Sequence, residues 1–428
     1  MSSPLRVILQ NFSKVMCGQM AVTTLGFFAL AMNTRALGIE DLGKLFLVQA
    51  TCELVSKLIS FQNWQSFAKV GADIEGRGSL KALWLYGVGL DFAAATLSAF
   101  VVATLLIAAP SLLGLDPETA KLGLYFAAAL VFSGRGTSIG ALRLLGAFGW
   151  AVSIDVLQAV LLLLNAFVLY RIGADLPTYL ITIPVVSVLA SLLVLFIAWR
   201  KIEAQEDVAV NERFDRVARQ KFLSFAFGVS ASSALNAIRQ RGEILIVGAI
   251  LGPSAAALFG VAYRLAALLA RFAEAARISV YPEFSRLASS GHFFEAARLA
   301  FRITKMAVLV SVFAFGILVV FGVEILSGLF GAEFSPALPI LLLLASGTAL
   351  YASAFSLTSL TQITFGSWRF FKFNLIAFAC FVLGAILGPY AFGVNGAGAG
   401  ALAYSIILVL LCGHSILYKM RDEKGGIL

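Results

Sequence analysis

Arg264 and Arg271 stand seven residues apart in an otherwise apolar run. That interval returns an α-helix to the same face and sets the two guanidinium groups roughly 10 Å apart along its axis. Glu274 continues the face. In the preceding apolar run Ser232, Asn236, Arg239 and Glu243 follow at steps of 4, 3 and 4, a second polar stripe at helical spacing. Fixed positive charge of this kind binds an anion, and Arg239, Arg264 and Arg271, with Asn236 beside them, are the candidates. The competing reading is two structural pairs, Arg239 with Glu243 and Arg271 with Glu274. Arg241 is about 200° from Arg239 around the helix, so it belongs to another face, from which it reaches the outer headgroups by snorkelling.

Carboxylates supply a second chemistry, exchange of a proton or a cation. Gln49, Glu53, Ser56, Ser60 and Asn63 recur at steps of 4, 3, 4 and 3 and line one helix face. Lys57 lies beside that stripe, i, i+4 from Glu53 and spaced to pair with it; it is also a candidate for binding an anionic substrate. Asp91 has no obvious local partner and is the foremost candidate for ion coupling, ahead of Glu53 and Glu243, although a pair with Lys57 explains it equally well. Asp155 and Arg135 come to similar depth on consecutive antiparallel helices and read as a structural pair. Tyr351, Phe355, Thr348, Ser359 and Gln362 suit a sugar-accepting cavity and ordinary packing alike. Catalysis has no such constellation. His292 and His414 have no Ser or Cys nucleophile placed with them, and no Gly-Lys-Ser/Thr phosphate loop exists. Cys17, Cys52, Cys380 and Cys412 are scattered singly in apolar runs, without metal or disulfide spacing. No enzyme activity, metal or cofactor is expected.

Composition puts these charges in a bilayer. The chain is 60% hydrophobic and 13% charged, with a mean hydropathy of +0.93, where a soluble domain carries about 25% charged residues. Hydrocarbon offers backbone N–H and C=O groups no partner, so runs of about 20 apolar residues specify helices. Periodicity and length predict spans near 15–37, 44–68, 82–109, 120–142, 149–170 and 177–199, then 222–250, 255–281, 303–330, 337–362, 370–392 and 396–418. The first follows Arg6 and Lys14, is too long for a signal-peptide core and lacks a small-residue cleavage site near its end, so it is expected to be retained. Pro184 alone falls in mid-span and should kink its helix. Between the two sets of spans, 11 of the 22 residues from Arg200 to Lys221 are charged, so that segment lies in water. The expected organisation is a six-helix bundle over 1–199, a linker over 200–221 and a second six-helix bundle over 222–428.

The N-terminal side of the membrane carries 22 of the 32 Lys and Arg residues. By the positive-inside rule both termini and the linker are cytoplasmic. Topology thus accounts for the net charge of +9, and no nucleic-acid partner is implied. The loops on the opposite side are all too short to fold into a domain. Leu37-Gly38 followed by Gly43 and Leu45 matches Leu251-Gly252 followed by Ala257 and Phe259, at a shift of 214 residues. The match falls at the junction of the first two spans of each half. The fold expected is therefore an all-α polytopic membrane protein, its twelve transmembrane helices forming two six-helix bundles related by a parallel pseudo-repeat.

The stretches RALGIEDLGKLFLVQA (Arg35 to Ala50) and RGEILIVGAILGPSAAALFGVAYRL (Arg241 to Leu265), with twelve spans in two halves, resemble the polysaccharide and O-antigen flippases. These belong to the multidrug/oligosaccharidyl-lipid/polysaccharide exporter superfamily. Relatives often have Asp where this chain has Glu243, and Gly and Tyr where it has Ala257 and Phe259. The resemblance implies an inner-membrane flippase that moves an isoprenoid-diphosphate-linked oligosaccharide from the cytoplasmic to the periplasmic leaflet by alternating access. The partners implied are that lipid-linked oligosaccharide, the lipid bilayer and polysaccharide assembly proteins, with a monomer as the working unit. Because the cytoplasm is negative, an outward-moving anion gains about 2.3 kcal/mol per charge per 100 mV, enough to drive export without obligatory cation exchange. The nearest rival is an ion-coupled multidrug exporter of the same superfamily. A membrane-embedded glycosyltransferase or ligase is the other, and it would need a catalytic loop outside the membrane. Topology is tested by cysteine labelling at Val208: an impermeant thiol reagent should reach it only in opened cells, and labelling from outside intact cells would overturn the orientation.

Overall fold

The computed structural model describes residues 4–60, 63–72, 77–204, 216–290 and 292–425. Within those ranges some side chains, Arg271 and Glu274 among them, lie outside the description. The described residues form thirteen α-helices and no strand. They are α1 (Pro4–Ile59), α2 (Asn63–Ala72), α3 (Arg77–Ala108), α4 (Pro117–Leu130), α5 (Gly136–Leu144), α6 (Phe148–Ile172), α7 (Leu176–Glu203), α8 (Arg216–Leu251), α9 (Pro253–Ser289), α10 (Phe293–Phe330), α11 (Leu338–Ser353), α12 (Phe355–Phe392) and α13 (Ala399–Gly425). Eight stretches among the described residues are long and apolar enough to cross a bilayer, and they coincide with the third, fifth, sixth and eighth to twelfth expected spans. Of the other four, the second and seventh carry the polar stripes, the fourth is divided, and the first holds Gln19, Thr23, Asn33 and Thr34.

The two halves turn from their first span to their second on corresponding glycines. Gly38 interrupts α1 with φ 70°, ψ −177°, and Gly252 separates α8 from α9 with φ 88°. Positive φ is open to glycine and strained for residues with a Cβ, which gives the Leu-Gly repeat its physical reason. After Gly38 a new helix begins with Glu40 and Asp41 in its first turn, where acids suit the helix dipole. Lys44, one turn on, lies 2.9 Å from Glu40, 3.5 Å from Asp41 and 3.8 Å from Asp116. Asp116 caps α4, accepting from the backbone N–H and the hydroxyl of Thr119 at 2.9 and 2.8 Å. Burial pushes the Asp116 carboxyl up, but the Thr119 hydrogen bonds and the Lys44 charge outweigh it and hold it below the usual carboxylate range.

Three expected spans are not continuous. The second ends at Ile59 and resumes as α2 at Asn63, so Asn63 leaves the stripe of Gln49 and Glu53. The fourth is divided into α4 and α5, and the tenth breaks at Ala354 between α11 and α12. Gly366, φ 81°, then bends α12 between the tenth and eleventh spans. Helix α7 continues through Pro184 as one element. Residues 205–215 of the expected linker lie outside the described residues.

The chain divides into two compact units, Met1–Gly242 and Glu243–Leu428. By packing, the boundary between these units lies inside α8. Phe222 of α8 is fully buried in the first unit's core with Phe67, Leu83, Trp84, Ala141 and Ala198, whereas Ile246 packs in the second against a cluster of Ala377, Phe381, Ala385, Tyr404 and Leu408. Large apolar side chains in mid-helix face outward, among them Phe100 at 69% and Phe313 at 73% exposure, as a hydrocarbon solvent allows and water would not.

In the second unit α12 meets the start of α13 and the turn before it at backbone contact: Gly384 and Gly388 lie one turn apart on α12, with Gly400 and Gly396 against them. A Cβ on Gly388 would stand 2.5 Å from the Gly396 carbonyl oxygen, and one on Gly400 2.8 Å from that of Phe381. Overpacking this contact should cost about 1–3 kcal/mol or more. Gly388→Val is expected to lower the unfolding temperature of the detergent-solubilised protein by several degrees, whereas Gly316→Ala, where the added carbon meets nothing within 4 Å, should leave it unchanged.

Candidate functional site

Helix α5 begins inside the hydrophobic region, so its first N–H groups need partners that water does not supply. The Thr137 N–H donates to Asp91 Oδ2 at 2.7 Å, the acceptor being the carboxylate of a residue on α3 that is 7% exposed. Asn63, the first residue of α2, donates its Nδ2 to Asp91 Oδ1, also at 2.7 Å. The chain comes this close because of two glycines. A Cβ on Gly134 would stand 3.0 Å from the Asp91 carbonyl oxygen, and one on Gly136 3.4 Å from Asp91 Oδ1. Asp91 therefore joins α2, α3 and α5 and makes no ion pair among the described residues; Lys57, its expected alternative partner, is exposed and unpaired among them. Gly134 and Gly136 inside an apolar run, followed by Thr137, were the signal in the sequence for this break.

Arg135, between those glycines, sends its guanidinium to α6. Nη1 lies 3.4 Å from Asp155 Oδ1 and donates to Gln158 Oε1 at 3.1 Å. Gln158 Nε2 in turn donates to Ser187 Oγ on α7 at 3.3 Å. The structural pair expected of Arg135 and Asp155 is formed, and Gln158 extends it. Two α-helical turns on from Gln158, Asn165 donates to Thr182 at 3.2 Å, fastening α6 to α7 a second time.

Two expected placements are corrected. Arg241 does not snorkel, and Glu53 does not pair with Lys57: Arg241 Nε lies 2.6 Å from Glu53 Oε2, joining α8 to α1. The N–H is not aimed along that line, so the contact is an ion pair rather than a well-formed hydrogen bond. A nearby opposite charge on a neighbouring helix outcompetes both the headgroups and the i, i+4 neighbour, because both charges are partly desolvated there.

Glu243, 2% exposed, accepts from the Gly400 N–H at 3.1 Å. It does for α13 in the second unit what Asp91 does for α5 in the first. Arg239, half-buried, donates to Asn236 Oδ1 at 3.0 Å. Arg264 lies half-buried on α9, and Arg271 lies on the same helix with its side chain outside the description. Of the candidate sugar-accepting residues, Ser359 spends its hydroxyl on the Phe355 carbonyl at 2.8 Å. Tyr351 packs against Tyr404 at 6.2 Å between ring centroids. The described residues hold no cluster of His, Cys, Asp and Glu suited to a metal ion.

A family model described as polysaccharide biosynthesis protein matches residues 8–288. No curated protein matches the chain. Among solved structures, an inward-facing multidrug resistance MATE family transporter of the MOP superfamily aligns with a TM-score of 0.69 at 15% identity, over 93% of this chain and 96% of the other. The lipid II flippase MurJ in an inward closed conformation aligns at 0.64 and 15% identity, over 95% and 87%. The Vibrio cholerae MATE transporter VcmN in its bent form aligns at 0.56 and 14% identity, over 98% and 97%. These similarities establish the fold.

The ion pair between α1 and α8 is open to a double-mutant cycle. Glu53→Gln should leave Arg241 unpaired and cost about 1–2 kcal/mol of stability, and Glu53→Gln with Arg241→Gln should recover most of it. Equal and additive losses in thermal unfolding would exclude the pair as a structural link.

Proposed function

We propose that this chain, which belongs to the polysaccharide biosynthesis protein family, is a flippase that carries an isoprenoid-diphosphate-linked oligosaccharide from the cytoplasmic to the periplasmic leaflet of the bacterial inner membrane, with both termini cytoplasmic. The observation that carries the reading is the family match over residues 8–288, joined to a multi-pass helical fold shared with the lipid II flippase MurJ. A hydrophilic glycan and an anionic diphosphate cannot cross hydrocarbon unaided, while the isoprenoid tail can stay in lipid. The protein's part is positioning and charge, with no bond made or broken. Arg239, Arg264 and Arg271 are the proposed anion-binding residues, supported by Asn236 and Lys57. Glu53, Asp91 and Glu243 are the carboxylates available for ion coupling.

A second reading is favoured by the MATE transporter similarity at TM-score 0.69: export of drugs coupled to an ion gradient. Cationic drugs call for a cavity dominated by carboxylates, and the arginines of α8 and α9 weigh against that.

Vesicles loaded on one leaflet with lipid-linked oligosaccharide decide between them. The protein should move the glycan to the other leaflet without chemical change; no movement above empty vesicles would reject the flippase. In the same assay Arg264→Gln with Arg271→Gln should insert at normal abundance and lose at least about tenfold in rate, as removal of charge-assisted anion contacts requires. Arg271→Lys should keep part of the rate as a point charge. Full transport by the well-expressed double variant would remove these arginines from the anion site.

A further inference from the structure

Past Gly366, where α12 bends, the sequence runs Trp368, Arg369, Phe370, Phe371, Lys372, Phe373. Rings hold both cations. The Arg369 guanidinium lies 4.7 Å from the centroid of Phe365, on the other side of the bend, and 5.9 Å from that of Phe373, one turn on. Lys372 Nζ lies 5.9 Å from the centroid of Trp368, which stacks on Phe371 at 5.6 Å. Lys419 of α13 stands 5.8 Å from the same Phe365 ring and 4.5 Å from Phe293. Aromatic faces position cations without cancelling their charge. The surrounding sequence supplies no acid to cancel it, since no Asp or Glu occurs between Glu333 and Asp422. Arg369 and Lys372, both exposed, make no ion pair among the described residues. Below them the same side of α12 is bare and apolar. Trp368, Lys372, Leu375, Ile376, Leu383 and Leu387 fall within about a third of the helix circumference, with Arg369 at its edge. Trp368 is 70% exposed and the four aliphatic residues are at least half exposed, while Ala377, Phe381 and Ala385 on the opposite side are buried against α13.

We propose that this face of α12 binds an anionic phospholipid, its phosphate held by Arg369 and Lys372 and its acyl chains laid along Leu375, Ile376 and Leu383. Charge selects the headgroup: clustered cations without local acids attract acidic lipids, and the arginine fork pairs with phosphate oxygens. A zwitterionic lipid brings its own ammonium, which Arg369 and Lys372 repel. The aliphatic stripe selects a lipid over a soluble anion, which would gain nothing from it. Its length fits one leaflet. From Lys372 to Leu383 the helix rises roughly 16 Å, about half of the roughly 30 Å hydrocarbon core. Trp368 marks the boundary, since indoles settle at headgroup level. Arg369 and Lys419 crowd like charges about one ring, so a bound phosphate relieves repulsion between α12 and α13 beside the bend and stabilises the second unit.

This lipid is bound on the lipid-facing surface and is not the transported substrate, so the proposal stands or falls apart from the flippase reading. The test is the unfolding midpoint of the purified full-length protein in nonionic detergent, titrated with dioleoylphosphatidylglycerol, with dioleoylphosphatidylcholine or with inorganic phosphate at constant ionic strength. The midpoint should rise saturably with phosphatidylglycerol and with neither of the others. Arg369→Gln with Lys372→Gln should raise the half-saturating phosphatidylglycerol concentration at least about tenfold, as loss of charge-assisted phosphate contacts requires. Trp368→Leu keeps both charges but removes the ring that positions Lys372, and should raise it about threefold. Arg200→Gln with Lys201→Gln removes two charges from the exposed end of α7 and should keep the wild-type curve. No rise with phosphatidylglycerol overturns the proposal, as does an equal rise with phosphatidylcholine or with phosphate. So does a half-saturation point unmoved in the α12 double variant, or one moved as far in the α7 variant, which would make the effect one of net charge. If the α12 double variant does not fold, the three wild-type titrations and Trp368→Leu decide the matter.

Discussion

A helix that begins within hydrocarbon leaves its first N–H groups without water, and in this protein that constraint is met by buried carboxylates from other helices. Asp91 takes the Thr137 N–H and Glu243 takes the Gly400 N–H. Each is an acid that a hydropathy reading marks as a candidate for function, and each has structural work that a neutral side chain does less well. A carboxylate accepts charge-assisted hydrogen bonds and sits favourably at the positive end of a helix dipole. The arrangement fixes where α5 and α13 start, and thereby the packing of the fourth and twelfth spans. Function at these acids is therefore something added to a structural duty.

The two units treat their broken fourth span differently. In the first, α5 is capped by Asp91. In the second, the corresponding break lies at Ala354, and Ser356, the second residue of α12, is hydrogen-bonded to Thr304 of α10 at 2.7 Å and to the Ala300 carbonyl at 3.0 Å. The same junction is held by neutral hydroxyls there and by a charge in the first unit. A duplicated scaffold that is polar in both copies and ionic in one has kept the link and differentiated its chemistry.

Much of the fold was legible because spans are long, apolar and bounded by charge. The Leu-Gly pairs at 37–38 and 251–252 marked turns that glycine alone makes without strain. The breaks in the second, fourth and tenth spans were not legible from hydropathy, since Ser60, Ser133 and Ala354 interrupt the apolar pattern no more than their neighbours do. Gly134 and Gly136 mark the fourth break, but what holds α5 there is Asp91, some forty residues earlier in the chain. A local pattern cannot register a partner that arrives through tertiary packing. The same applies to Arg241, whose face on α8 is separate from that of Arg239 by helical spacing, but whose partner Glu53 lies on another helix.

Polar stripes on membrane helices consequently carry less functional weight than their spacing suggests. Thr51, Ser98, Thr361 and Ser405 are buried and polar, yet each returns its hydroxyl to the carbonyl four residues earlier on its own helix, at 2.7 to 2.9 Å. Such residues need neither a cavity nor a ligand. The useful distinction is between polarity consumed within a helix, polarity consumed between helices, and polarity left over. Gln158 and Asn165 belong to the second class, since their amides join α6 to α7. Asn63 belongs to the second and third at once: its Nδ2 meets Asp91 and its Oδ1 meets nothing among the described residues. That leftover oxygen is the part of the junction the cap at Asp91 does not account for, because a cap needs only acceptors for its N–H groups.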